Sequence, residues 1–426
     1  MQRTRKLVAS IAAAALCVPA LAVAQDAAPI KVGVVTFLSG PAAGPFGVPA
    51  RNAAEITIEM LNGGKVPKPY DQKGFGGARL QMVLVDESGG TTTQVTEFRN
   101  LVQRDNVDVV IGYISSGSCL GIAPVAEELK TLTVFFDCGT PRIFEERDYK
   151  YVFRTSSTAT MDSVGAALYV KDLKPNAKVI AGLNQNYAWG QDSWGDFELS
   201  MKQIFPKIEV ATSQMPKLFA GQYNAEISTL LNAKADVIHS SFWDGDLEAF
   251  ILQAGPRGLF KRSVVVLTTG ETAMYKLADK IPDGVVIGAR GPYGPYAPDN
   301  ELNKWYSATF QDRYNVPPNY AAYQMTQAIL GTKAAWEKAQ AANGGKRPSI
   351  DQVIAAFERL TFTGPGGEVR MAIGKGHQAI TETAYGVTKK VGGKMTVANV
   401  KRYPAETVNP PDGVKAADWI KNGFKK

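Results

Sequence analysis

Val107–Cys138 reads VDVVIGYISSGSCLGIAPVAEELKTLTVFFDC, and this stretch decides the fold. A near-continuous apolar run, Val107 to Ser115, predicts a strand. A Gly/Ser loop follows, then a helix predicted over Ile122–Lys130, then a second apolar run, Leu132 to Cys138. Two such strands separated by a helix form a parallel pair, and strands with so little alternation are covered on both faces.

The same unit recurs on either side. Ile30–Leu38 (IKVGVVTFL) predicts a buried strand, followed by the loop SGPAAGPFGVP and a helix from Ala50 with Ala53, Ile56, Met60 and Leu61 near helical spacing. A polar insertion, KVPKPYDQKGFGG, precedes the strand ARLQMVLVDE and the helix TTTQVTEFRNLVQRD. The pattern then restarts, with predicted strands KVIAGLNQ, IEVATSQMP, ADVIHSSFW, SVVVLTTG and GVVIGARG. The fold class is therefore α/β, with two doubly wound parallel-sheet units. The end of the chain differs: AITETAYGVTKKVGGKMTVANVKRYP reads as a hairpin turning at Gly392-Gly393.

The N-terminus carries an export signal. Arg3, Arg5 and Lys6 precede an apolar stretch, and Ala22-Val23-Ala24 forms a cleavage site before Gln25. Residues 1–24 are thus expected to leave, and the mature protein to enter an oxidising, extracytoplasmic space. Leu16 before Cys17 is not the small residue of a lipoprotein signal. Removing the three leader charges from a formal +7 leaves +4, and no basic run interleaves with aromatics, so nucleic acid is not an expected partner.

The mature chain keeps Cys119 and Cys138. Both fall at successive strand ends, and an even pair in an oxidising compartment tends to bridge. A competing reading comes from Gly117-Ser118-Cys119-Leu120-Gly121, which fits a nucleophile elbow with cysteine at its centre. Catalysis would need a base, and His239 and His377 are the two histidines present. A hydrolase using Cys119 and His239 is therefore the alternative function. The histidines are far apart with no acidic or thiol cluster, so neither metal nor cofactor is expected. SGPAAGPFG lacks the Gly-Lys-Ser/Thr ending of a phosphate loop, and no dinucleotide fingerprint occurs.

In open parallel sheets, ligands bind beyond the carboxyl ends of the strands. That rule singles out the loops 39–49, 115–121, 137–142, 184–191, 242–246 and 268–272. Tyr187, Trp189, Trp194, Phe242, Trp243 and Tyr275 crowd the later loops, and Glu271 stands at a strand end. Glu271 reads equally well as an ordinary acid at a helix N-terminus.

Taken together, VGVVTFLSGPAAGPFG, MVLVDES, VIGYISSGSCLGIAP, FFDCGTP, NQNYAWGQD and TTGE resemble the periplasmic Leu/Ile/Val-binding proteins, over roughly Ile30 to Tyr403. These are the type I binding receptors of ABC importers. The resemblance implies two lobes joined by three crossovers, near Arg154–Thr158, Gly284–Gly291 and Thr381–Tyr385. Lobe 1 would comprise 25–154 plus 290–382, and lobe 2 155–289 plus 383–426.

It also implies site residues. Ser116, with Cys138 and Thr140 in the next loop, matches the positions that hold a ligand carboxylate. Phe46, Tyr187, Trp189 and Trp243 match aromatic walls, and Glu271 matches the partner of a ligand amine. The implied partners are a small-molecule ligand and a membrane permease, for a monomer in the periplasm. Phe46 and the tryptophans replace tyrosines typical of branched-chain amino-acid receptors, the cysteine pair is placed differently, and the insertion at 65–77 is long. The ligand is therefore an amino acid or an aromatic or other organic acid. A soluble sensor on the same fold is a further reading.

Overall fold

The computed structural model describes residues 28–425, and the leader expected over residues 1–24 lies outside them. Fifteen strands among the described residues form two sheets. The first contains β1 (Ile30–Thr36), β2 (Leu80–Asp86), β3 (Val109–Gly112), β4 (Thr133–Phe135) and β5 (Val152–Arg154). The second contains β6 (Val179–Leu183), β7 (Glu209–Gln214), β8 (Val237–Ser240), β9 (Val264–Leu267) and β10 (Val286–Gly288). β11 (Thr361–Gly364), β12 (Gly367–Ile373) and β13 (Gln378–Ile380) return to the first sheet. β14 (Thr383–Val391) and β15 (Lys394–Tyr403) complete the second.

The strand orders are β11-β12-β13-β5-β4-β3-β1-β2 and β15-β14-β10-β9-β8-β6-β7. Each sheet is parallel through its middle and antiparallel at one edge. β3, β4 and β10 are wholly buried, which is why they read as continuous apolar runs. The predicted hairpin is β14–β15, with Gly392 and Gly393 both at positive φ, as a tight two-residue turn requires. Ala379 and Ile380, read with it, belong instead to β13. The chain passes between the sheets three times: after β5, after β10, and between β13 and β14.

The helix after β3 runs from Ser116 to Glu128, six residues ahead of its expected start. Its first turn is built of Ser, Gly and Cys, which carry no amphipathic signal; the apolar pattern begins only at Ile122. The quoted Gly/Ser loop is therefore the first turn of a helix. Cys119, inside it, is bonded to Cys138 just beyond β4, with Cα atoms 6.5 Å apart.

The insertion at 65–77 is fastened to the first sheet's long helix, Tyr320–Ala342. The buried Lys333 ammonium donates to Gln72 O and Gly74 O, both at 2.7 Å, and pairs with Glu337. Phe75 packs on Trp336, and Tyr70 Oη donates to Thr363 O at 2.6 Å.

The bridge yields a direct test. The denatured, unreduced mature protein should titrate no free thiol with a chromogenic disulfide reagent. Reduction should lower stability by about 3 kcal/mol, the chain-entropy value for a loop of this size.

Candidate functional site

Two adjacent carboxylates at the end of β2 set the loops of the first sheet. Asp86 accepts Leu38 N at 2.9 Å and Ser39 Oγ at 2.6 Å, fixing the loop after β1. Glu87 is buried and accepts Ile114 N and Ser115 N, both at 2.8 Å, fixing the entry to the helix Ser116–Glu128. The Ser116 hydroxyl oxygen then accepts Gly139 N and Thr140 N, each at 3.2 Å.

Arg154 holds the loop beyond β4 from behind. Its fully buried guanidinium donates to Cys138 O at 2.7 Å and Thr140 O at 2.6 Å, and to Gln378 Oε1. A trans peptide points its N–H away from its C=O. Drawing Cys138 O toward Arg154 therefore turns Gly139 N–H toward Ser116. Gly139 has a packing reason as well, since a Cβ there would collide with the Trp189 ring and the Arg290 guanidinium.

The second sheet contributes the aromatic side. Asn184 Oδ1 accepts Ser241 N at 2.8 Å and Ser241 Oγ at 2.7 Å, and Trp189 Nε1 donates to Ser241 O at 2.8 Å. These bonds lock the Trp189 and Trp243 loops together. Phe46, in the helical turn Ala43–Gly47, meets Trp243 edge-on at 5.2 Å and Tyr320 at 5.4 Å.

Between the carboxyl ends of the two sheets these groups line one pocket. Its walls include Phe46, Tyr187, Trp189, Trp243 and Tyr320, and its polar groups include Ser116, Asp137, Thr269 and Arg290. Ser116 has spent its oxygen on two amides. Among the described residues no protein group accepts its proton, so the hydroxyl retains a donor at the cavity wall.

Arg290 is the charged centre. It sits at φ 50 just after β10, 4% exposed. Its guanidinium pairs with Asp137, donates to Asp162 Oδ2 at 3.0 Å and to Ser157 O at 3.0 Å, and lies 4.5 Å from the Trp189 ring centre. Burial raises both carboxyls while Arg290 pulls them down; the net positions are about 6 for Asp137 and about 7 for Asp162. Burial also opposes the guanidinium charge, but the two aspartates outweigh it and hold Arg290 above its ordinary value.

Phe46, Ser116, Tyr187, Trp189 and Trp243 thus meet at one cavity. Cys138, Thr140 and Glu271 do not line it. Cys138 is buried in the disulfide, and the Thr140 hydroxyl turns outward to Asp192 Oδ2 at 2.6 Å, beside the Arg142–Asp192 ion pair. Glu271 is buried behind the wall, where its carboxylate accepts Tyr320 N at 3.0 Å and so caps the long helix. Asp137 and Thr269 fell inside loops marked for attention but were not singled out. Arg290 closes the expected second crossover, where a lone basic residue ending an apolar strand was the available signal. Tyr320 follows no strand, and nothing in its local sequence marks it.

The hydrolase reading loses its nucleophile, because the Cys119 sulfur is bonded to Cys138. His239 stacks on Phe197 at 4.3 Å, and burial pushes its imidazole down to about 3. Among the described residues no group of His, Cys, Asp and Glu is arranged to hold a metal, and no helix is long and apolar enough to cross a membrane.

The profile of the periplasmic binding protein family matches residues 29–394, and the chain belongs to that family. The Leu/Ile/Val-binding protein BraC3 of Rhizobium johnstonii is 28% identical over 404 residues, covering 93% of this chain and 98% of the relative. A solute-binding protein of an R. palustris ABC transporter, crystallised with benzoate, superposes with a TM-score of 0.76 at 21% identity, covering 91% of this chain and 99% of that one. The closed form of a leucine-, isoleucine-, valine-, threonine- and alanine-binding protein from Brucella ovis gives 0.74 at 19%, covering 90% and 97%. The fold of these proteins is the fold of this chain.

Two outcomes test the electrostatics. Arg290→Met leaves Asp137 and Asp162 buried without their counter-charge, and should cost about 3–5 kcal/mol in urea unfolding. The second concerns pH. Burial lifts Glu271 to about 8, against the Tyr320 amide, and lifts Glu87 to about 8, against the amides it accepts. Unfolded carboxyls titrate near about 4, so above that the folded state holds more protons than the unfolded one and stability falls as pH rises toward 8. His239 acts in the opposite sense, but only below its unfolded value of about 6.5. The midpoint of thermal unfolding should therefore fall between about pH 6.5 and 8.5, and it should fall less in Glu271→Gln.

Proposed function

We propose that this protein is the extracytoplasmic receptor of an ABC importer, and that it binds a small aromatic carboxylic acid in the cleft between its lobes. The observation that carries this reading is the aromatic-walled cavity at the carboxyl ends of both sheets. Ligand pockets are mostly apolar with a few placed polar groups. Here rings supply the apolar walls, and the Ser116 hydroxyl, at the start of a helix, supplies a donor for a carboxylate.

An amine finds less support. Glu271 does not line the pocket, with one oxygen on the Tyr320 amide and the other without a partner, and Asp137 is already paired with Arg290. The benzoate complex of the R. palustris neighbour supports an aromatic acid. A branched-chain amino acid is the second reading, favoured by the names of BraC3 and the Brucella ovis protein.

In this reading lobe 1 is 25–154 plus 290–382, lobe 2 is 155–289 plus 383–426, and the three crossovers are the hinge. Phe46 and Ser116 come from lobe 1, Tyr187, Trp189 and Trp243 from lobe 2. A ligand touching both favours the closed form over the open one, and that difference in affinity drives closure. The closed monomer delivers its ligand to a membrane permease from the periplasm.

Thermal unfolding of ligand-stripped mature protein tests the assignment. Benzoate or 4-hydroxybenzoate at about 100-fold its Kd should add about 2.7 kcal/mol. Phe46→Ala and Trp243→Ala should each weaken binding about tenfold or more. Stabilisation by leucine, isoleucine or valine, with none by the benzoates, would overturn the aromatic-acid reading and establish the second one.

A further inference from the structure

The chain does not stay with the second sheet after β15. Val408, Trp419 and Ile420 are buried with Met161 and Val164 of the helix Ala159–Leu173, and the Phe424 ring meets Trp419 edge-on at 5.3 Å. Between these two anchors the chain reaches the first sheet instead. Asp412 accepts Arg359 Nη2 at 2.8 Å and Lys375 N at 3.1 Å, and Ala416 N donates to Glu145 Oε1 at 2.7 Å. Just ahead of the first anchor, Glu406 pairs with Arg370 of β12.

Local sequence explains the excursion. Asn409 Nδ2 donates to Ala405 O at 2.9 Å, at the end of the helical turn Ala405–Val408. Pro410 and Pro411 follow, so the helix cannot continue, and Asn409 is extended as a residue before proline must be. Gly413, at φ 78, turns the chain back, with Val414 N donating to Pro411 O at 3.2 Å, and the helix Ala416–Lys421 returns it to the second sheet's side. Packing differs along this route. Against the second sheet's helices it is apolar and buried. On the first sheet's side the bonds are polar, and an open pocket lined by Ile373, Ile380, Pro410 and Pro411 lies beside them. That side can therefore release while the anchor stays.

The route also touches the loops of the cleft. Glu145 lies on the short helix Arg142–Glu146, which follows the loop that carries Asp137 and Gly139. Asp192, on the helix Ala188–Ile204, grips the same short helix through Arg142. We propose that residues 404–425 are a strap across the hinge: fixed to lobe 2 through Val408, Trp419 and Ile420, latched to lobe 1 through Glu145, Arg359 and Lys375, and holding the lobes together before a ligand arrives. Exposed polar pairs add little to global stability. An equilibrium between two forms of similar free energy is nevertheless moved by contacts made in one form alone. The inference rests on the two-lobe hinge reading above, and does not depend on which ligand is bound.

Distances between two nitroxide labels on the ligand-free mature protein, measured by pulsed electron resonance, test it. Thr92→Cys and Lys217→Cys carry the labels; both positions are exposed, and their neighbours Thr91 and Leu218 face one pocket from the two sheets' sides. Cys119 and Cys138 are bonded to each other and take no label. Deleting the segment would strip Trp419 from its core, so the latch is cut at its side chains. Glu145→Ala with Asp412→Ala should shift the distances to longer values. Glu145→Gln alone, which keeps an oxygen for Ala416 N, should match the parent. Asp192→Ala, which cuts the other grip on the short helix, separates the outcomes. Longer distances in the double variant, with the parent pattern in Glu145→Gln, establish the strap. Unchanged distances in the double variant, with longer ones in Asp192→Ala, overturn the strap and leave the hinge standing. Unchanged distances in every variant overturn the hinge reading and the strap with it.

Discussion

One buried guanidinium ties the molecule together. Arg290 follows β10 on a crossover, Asp137 lies in the loop just beyond β4 of the first sheet, and Asp162 lies on the helix Ala159–Leu173 that covers the second. A charge this deep is tolerable only when paired and hydrogen-bonded. The pairing therefore fixes the relative position of three chain segments, and two of the three meet at the cavity. The Trp189 ring, held against the same guanidinium, takes its place from that contact.

A second buried arginine plays a complementary part. Arg154 binds the carbonyls of the loop beyond β4, and the planar peptide then commits the Gly139 amide to the opposite side. The disulfide joins that loop to the first turn of the Ser116 helix. Glu87 receives the amides that lead into this turn. Ser116 is thus held by buried charge, covalent bond and backbone together, which is what a preformed donor requires.

Three of the twelve described non-glycine residues at positive φ lie in the same region. Tyr113, Asp244 and Arg290 are non-glycine residues at positive φ, and each immediately precedes or follows a cavity residue or is one itself. Such conformations cost of order 1–3 kcal/mol each and persist where the surroundings over-determine them. The Thr140 and Arg142 contacts with Asp192 then join a first-sheet loop to a second-sheet helix outside the cavity.

The sequence by itself determined the alternation of buried strands and helices, the late Gly-Gly hairpin, the cysteine pair and the set of strand-end loops. These are local: apolar periodicity, turn chemistry and composition act over a few residues. Five of the eight residues named for the ligand meet at one cavity for the same reason, since strand ends in a parallel sheet share an edge. What only the tertiary structure decided is which way the groups on those loops face. Glu271 reads as a ligand partner at its strand end, yet it turns to cap a helix that begins 49 residues later. Tyr320 carries no local mark and Arg290 only that of a lone basic residue after an apolar strand, because their roles come from Asp137, Asp162, Trp189 and Phe46, partners distant in sequence. Burial of a charge selects its partner through space, and no short window of sequence contains that choice.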